Sequence, residues 1–172
     1  MAMHARRAGI LVTVLVLAGC ETRPDADLDL HRALVRQFAE ATNTADWDAL
    51  AAIVADDFVR HDPSPSGPVV RSRDEFIELQ KTFLVAFPDQ RVATEAMVAD
   101  DDLVAIRAVY TGTHTGPMLG PGGEVPATGR RVELPFLGIF RIESGRIQEL
   151  WLQWDQVTLL GQLGLMPPAG GG

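Results

Sequence analysis

Carboxylate and indole stand side by side near the C-terminal end of this sequence, in ELWLQWDQV, Glu149 to Val157. Alternation along an extended strand puts Glu149, Trp151, Gln153 and Asp155 on one face and Leu150, Leu152 and Trp154 on the other. With the polar set turned toward an interior cavity, Asp155 sits against the Trp151 indole, where a carboxylate is poorly solvated. Its pKa should then rise, which suits a general acid/base near neutral pH. The same residue immediately precedes the helical pattern QVTLLGQLG, and an aspartate in that position can equally be an N-cap. Both roles stay open on the sequence.

Other residues could complete a site. His61 in FVRHD and His114 in GTHTG can each hydrogen-bond a substrate carbonyl or orient a water, or each can be a structural histidine at a strand end. Arg107 lies mid-strand in an apolar run, where an inward cation needs a partner and an outward one is simply solvated. Tyr110, Phe136 and Trp151 are candidates to line an apolar ligand site with Gln153, unless the aromatics are core. His31, His61 and His114 match neither H-x-H nor H-E-x-x-H, so no metal site is predicted. No G-x-S-x-G is present, and the glycines around Gly120 and Gly122 break the dinucleotide pattern at Val125. Proton transfer needs no cofactor, and none is expected.

The elements that must hold these residues follow from periodicity. From Leu28, the residues Leu30, Leu34, Phe38 and Ala41 recur at helical spacing, with Asp27 or Asp29 to cap them. ADWDALAAIV is a shorter helix with Trp47, Leu50 and Val54 on one face, and DFVRHD a brief strand stopping at Pro63. A capping box, Ser72 to Glu75, opens a third helix carrying Phe76, Leu79, Phe83 and Phe87 until Pro88. Beyond Pro88 the period becomes two. RVATEAMVA and LVAIRAVYTG are strands joined by an acidic turn, RVELPFLGIFRI and RIQELWLQWD strands joined by ESG. THTGPMLGPGGEVPATGR between the pairs reads as an irregular loop long enough to be functional. Helices followed by an antiparallel sheet predict an α+β domain with the helices on one sheet face.

The 172 residues fit one domain, and the formal net charge of −8 comes with scattered basic residues. Nucleic acid, which needs clustered Lys and Arg, is excluded as a partner. At the N-terminus, MAMHARR and AGILVTVLVLAG form a positive segment and an apolar segment too short to span a bilayer, followed by Cys20. LAGC resembles the lipobox of bacterial lipoproteins, in which the cysteine is lipidated and becomes the mature N-terminus. The expected organisation is a signal peptide over 1–19, a lipidated N-terminus and linker over 20–27, the domain over 28–165 and a disordered tail over 166–172. Location would be the bacterial cell envelope, on the extracytoplasmic side. Loss of Arg6 and Arg7 makes the mature domain still more acidic, so the lipid is its one expected tether to anionic membrane.

FVRHDP, GTHTG, ATGRRVEL, GIFRIESGRIQELW and WDQVTLLGQLG occur here in an order that resembles the SnoaL-like polyketide cyclase (ester cyclase) family of the NTF2-like superfamily. The resemblance covers about Leu28 to Leu165 and implies a cone-shaped α+β barrel, its curved antiparallel sheet and helices enclosing a deep apolar cavity. It implies for Asp155, through the W-x-x-x-D phrase from Trp151, the acid/base role in an intramolecular aldol closure, with His61 and His114 near the cavity mouth. It also implies a homodimer through the outer sheet face, where Leu150, Leu152 and Trp154 are expected. Leu150 stands where many members have histidine, so any role of that histidine is absent.

Two functions follow. One is cofactor-independent acid/base chemistry on a small apolar carbonyl compound, with Arg107 helping to polarise oxygen. The alternative is a non-catalytic lipoprotein whose cavity binds a hydrophobic small molecule or a partner. A cavity lined jointly by Asp155, His61 and His114 favours the first, and Asp155 turned to solvent favours the second. Independently of either, Cys20→Ala should release the protein from the membrane fraction, and its retention in the membrane pellet would refute the lipid anchor.

Overall fold

Capping side chains decide where the helices start. In the computed structural model, which describes residues 24–62, 70–120 and 123–166, α1 (Pro24–Thr44) begins before Leu28 and takes in the end of the expected linker, with Asp25 and Asp27 in its first turn. Acids there complement the positive helix terminus. Cys20 and the signal segment lie outside the described residues, as does the tail from 167 onward. Asp46 caps α2 (Trp47–Ile53) by accepting from Ala49 N at 2.9 Å, and β1 (Val54–His61) follows directly. At α3 (Arg73–Ala86) the capping box forms, Ser72 Oγ accepting from Glu75 N at 3.2 Å. Glu75 reaches back to Arg71 N at 2.7 Å rather than to the cap itself.

Four long strands complete the main sheet: β2 (Arg91–Asp100), β3 (Leu103–Thr113), β6 (Arg131–Glu143) and β7 (Arg146–Trp154). The order is β1-β7-β6-β3-β2. β2, β3, β6 and β7 pair antiparallel, as expected from their turns, but β1 runs parallel to β7. The sheet is therefore mixed rather than antiparallel. A tight turn forces antiparallel pairing, whereas β1 and β7 are separated by most of the chain and are free to pair either way.

The segment read as irregular loop contains a small hairpin, β4 (Met118–Gly120) with β5 (Gly123–Val125). Its base docks on the end of α3, where Thr115 N and Gly116 N donate to Ala86 O at 3.0 and 3.2 Å. A Cβ at Gly116 would lie 2.0 Å from Val85 O, so the docking requires glycine. The chain closes with α4 (Gln156–Leu163), which ends at Gly164 in the left-handed region at φ 73°.

The helices cover one face of the sheet. Val35 and Phe38 of α1, Leu50 of α2 and Phe76 of α3 meet Phe58, Val104, Ile106, Phe140, Ile147 and Leu150 in the principal core. Phe38 sits between Phe76 and Phe140, with ring centroids 5.6 and 5.2 Å away. Two amides extend the sheet where a strand neighbour is missing. Asn43 donates to Val92 O at 2.9 Å and accepts from Val92 N at 2.7 Å along the outer edge of β2. Gln162 does the same for Glu133, whose side of β6 lies beyond the end of β7. Backbone groups at those strand positions would otherwise lack a partner within the sheet.

Candidate functional site

β7 turns its apolar side chains inward. Leu150, Leu152 and Trp154 line an interior cavity of about 160 Å³, together with Phe38, Phe83, Phe87, Tyr110, Phe136 and Phe140. The inner face is therefore the reverse of the one expected from the acid-indole pairing. Covering helices make one side of the sheet water-poor, and three large apolar side chains outweigh a polar set that would lose its hydration there. The same burial removes Leu150, Leu152 and Trp154 from the outer face, where the sequence reading had them joining two copies.

Each predicted site residue can now be placed. Tyr110 and Phe136 line the cavity. Trp151 lies on the outer face, stacked on the His61 ring with centroids 5.0 Å apart and planes 4° from parallel. His61 Nε2 lies 3.1 Å from Glu149 Oε2, its side chain 44% exposed. Arg107 points outward to pair with Glu95. Arg107, Gln153 and Asp155 border an open hollow on that outer side with Leu137 and Val157.

Asp155 caps α4. Its carboxylate accepts from Val157 N at 2.9 Å, from Thr158 N at 3.1 Å and from the Thr158 hydroxyl at 2.6 Å. These hydrogen bonds, those from Thr158 foremost, hold its pKa below the ordinary aspartate value rather than above it. The expected rise required an indole and a dry surrounding. The structure instead provides three donors and solvent.

His114 is fully buried, in a different place again. Thr128 N donates to its Nδ1 at 3.2 Å, so the neutral ring carries its proton on Nε2, and burial lowers its pKa. His114 N donates to Arg130 O at 2.9 Å and Gly129 N to His114 O at 2.8 Å. These contacts tie together the two ends of the excursion that carries β4 and β5. Phe87, its ring centroid 5.1 Å from that of His114, stands between the histidine and the cavity wall it lines. Asp155, His61 and His114 thus occupy three separate surroundings and do not converge.

Arg60 is the residue that sequence reading missed. On β1 it follows Phe58 by two, and this alternation, legible in FVRHD, sends both inward while His61 goes out. The Arg60 side chain is 8% exposed, lines the cavity beside Leu150 in the strand register, and pairs with Asp62 at 2.7 Å. Its guanidinium carbon lies 5.8 Å from the centre of the Phe83 ring. Burial lowers its pKa while Asp62 opposes that shift. Three polar atoms of lining residues have no hydrogen-bond partner among the described residues: Arg60 Nε, Gln90 Nε2 and Thr42 Oγ1. Gln90 Oε1 accepts from Tyr110 OH at 3.2 Å, and burial raises the pKa of that phenol.

A helix-covered, curved mixed sheet around an apolar cavity defines the NTF2-like class of α+β protein. The chain belongs to the SnoaL-like polyketide cyclase family, whose model matches residues 32–163. Among solved structures it is similar to IdmH from Streptomyces antibioticus, described as a candidate polyketide cyclase, at 34% identity and a TM-score of 0.68, over 78% of this chain and 98% of that one. AclR from Streptomyces galilaeus, described as a candidate hydroxylase, is 28% identical with a TM-score of 0.68, over 81% and 99%. TsrD from Streptomyces laurentii is 25% identical with a TM-score of 0.70, over 80% and 97%. No curated protein sequence matches the chain.

The cap yields a test with a defined sign. Asp155→Ala should lower the denaturation midpoint more than Asp155→Asn, which keeps one capping oxygen. Because the folded-state pKa is depressed, the advantage of wild type over Asp155→Ala should be complete above the unfolded value near 3.8 and shrink as pH falls below it. Equal midpoints for all three proteins at neutral pH, measured by urea denaturation, would remove the cap.

Proposed function

We propose that the interior cavity binds a small, largely apolar molecule and that the chain acts by holding it, not by proton transfer from Asp155. The observation that carries this reading is the lining itself. Among the described lining residues there is no aspartate, glutamate or histidine, and aromatic and aliphatic side chains form most of the wall. The volume of about 160 Å³ is close to the roughly 150 Å³ of an engineered cavity that takes benzene. A single ring or a short branched chain suits it.

A cyclase-type reaction on a carbonyl compound is the second reading, favoured by the 34% identity with IdmH. Under it, Asp155 would have to act past Trp154, which borders both the cavity and the outer hollow. The lipobox sequence supports an envelope protein held to the membrane through Cys20, with the binding domain on the extracytoplasmic side.

A monocyclic probe separates the readings. Cyclohexanone should raise the melting temperature, by the equivalent of about 2.7 kcal/mol at a hundredfold excess over Kd. Ala39→Leu, which extends a side chain into the cavity from α1, should weaken that effect, and Asp155→Asn should leave it intact. If no monocyclic compound shifts the melting temperature, the binding reading fails. If Asp155→Asn abolishes turnover of a ketone that wild type converts, the cyclase reading replaces it.

We also propose a homodimer through the outer sheet face, on different residues from those first expected. Val98, Ala105, Ile139 and Trp151 are successive partners across four strands. Val98 is 67% exposed, Ile139 42% and neighbouring Leu137 56%. An apolar row of this kind favours a matching surface. Leu137→Glu with Ile139→Glu should shift the sedimentation of the protein from dimer to monomer, and a wild-type monomer at micromolar concentration would exclude the dimer.

A further inference from the structure

His114 is a titratable side chain buried at a joint of the chain. Its Nδ1 accepts from Thr128 N at 3.2 Å, and its Nε2 has no partner among the described residues. The Thr128 hydroxyl lies 3.1 Å from the same Nδ1. Around this ring the backbone forms a clasp. His114 N donates to Arg130 O and Gly129 N to His114 O, so the two legs of the excursion between β3 and β6 are held together at the imidazole. From the clasp, Thr115 N and Gly116 N reach Ala86 O at the end of α3. Phe87, the next residue there, packs its ring against His114 and also lines the cavity.

A proton on Nδ1 turns an acceptor into a donor. Thr128 N–H would then face another N–H and lose its partner. The Thr128 hydroxyl can rotate to accept from the new proton, but a neutral hydroxyl does not balance a full charge held out of water. Charged groups on the surrounding elements do not balance it either. Asp89, just beyond α3, is exposed, and its carboxylate accepts from Thr113 N at 2.6 Å and from the Thr113 hydroxyl at 2.7 Å, with Arg131 Nη1 4.0 Å away. Arg130 and Arg131, entering β6, are themselves cations, and the Arg130 guanidinium packs over Gly164 at the end of α4. Glu124 in β5 and Glu133 in β6 are exposed. Neither the last turn of α3 nor α4 itself carries a charged side chain.

We propose that this clasp is a pH-sensitive fastening, which holds the base of the excursion on α3 while His114 is neutral and releases it when the ring is protonated. Release takes the backing from Phe87, so the cavity opens on that side in mild acid. The inference concerns how the wall is held, and it stands whatever the cavity binds. Its sign is fixed by the two states of the ring. Burial in the closed clasp lowers the His114 pKa from the ordinary 6.5, whereas the open clasp returns the ring to water and to that value. Closure is therefore fully favoured above the ordinary value and weakens as pH falls from there toward the lowered one. A single proton limits the effect to about tenfold in the open fraction per pH unit.

Hydrogen exchange on the full protein at about pH 7.5 and about pH 5.5, both above the range in which ordinary carboxylates titrate, tests the clasp. Once the intrinsic pH dependence of exchange is removed, protection at Thr115, Gly116 and Gly129 should fall several-fold on acidification, with about tenfold as the ceiling. Protection at Ile106 in the central strand β3 should stay constant. His114→Asn keeps an acceptor near the place of Nδ1 and takes up no proton, so its protection should not change between the two pH values. His61→Gln should retain the wild-type fall. If His114→Asn does not fold, nitrogen shifts of the wild-type imidazole decide, because ring titration and loss of protection must share one midpoint. Titration of His114 with Thr115 and Gly116 still protected would overturn the proposal. The same fall in His114→Asn would overturn it too, as would an equal loss of protection at Ile106, which would make the event global unfolding.

Discussion

A strand covered by helices on one side has a single decision to make, and β7 makes it in favour of its hydrocarbons. Leu150 is buried in the core and Leu152 and Trp154 are half-buried on the cavity that α1 and α3 also line, and a large apolar side chain fully removed from water gains about 1.5–3 kcal/mol. The opposite choice would have buried Glu149 and Gln153 and left those three residues wet. Side chains alternate with period two, so one decision sends every neighbour to a fixed side. The cavity, the outer His61–Trp151 stack and the solvent exposure of Asp155 are consequences of that one preference.

Where the strand ends, the chemistry of its last carboxylate is taken over by the helix that follows. α4 presents unpaired N–H groups at its start, and Asp155 satisfies them together with the Thr158 hydroxyl. Every such bond stabilises the ionised form. A carboxylate fixed in this way is held below the ordinary aspartate pKa and is ionised at neutral pH. The family frame is retained from α1 to α4, while the buried polar side chains that line its cavity include Arg60, Gln90 and Thr42. Family membership and the chemistry of the cavity are therefore separate properties of this chain.

The buried cation shows how an apolar enclosure tolerates charge. Arg60 has Asp62 at one nitrogen and the Phe83 ring nearby, and its aliphatic stem contributes to the wall. Neutralised but not saturated in its hydrogen bonds, it gives the cavity direction without giving it a net charge. His114 does something different with the same burial. Its ring and backbone fasten the excursion that carries β4 and β5, and the Thr128 N–H at Nδ1 fixes its tautomer.

Much of the architecture was legible in the residues. The change of period at Pro88, the Ser72–Glu75 box and the ESG turn are local signals, and local backbone preferences act on them directly. Element order followed from those signals, and the family from phrases such as GTHTG and WDQVTLLGQLG. The direction of β1 against β7 was not legible, because no tight turn joins them. Nor were the roles of Trp151, Gln153, Arg107 and Asp155. Alternation states which residues share a face, but not which face the helices will cover. Phe58 and Arg60 were a two-residue clue to the inward face of β1, overshadowed by the more familiar histidine beside them. The sequence by itself determined the elements, their order and the partition of each strand into two sets of side chains. Only tertiary packing decided which set was buried, because that choice depends on the summed burial of residues from α1, α3 and four other strands, and no single stretch contains that sum.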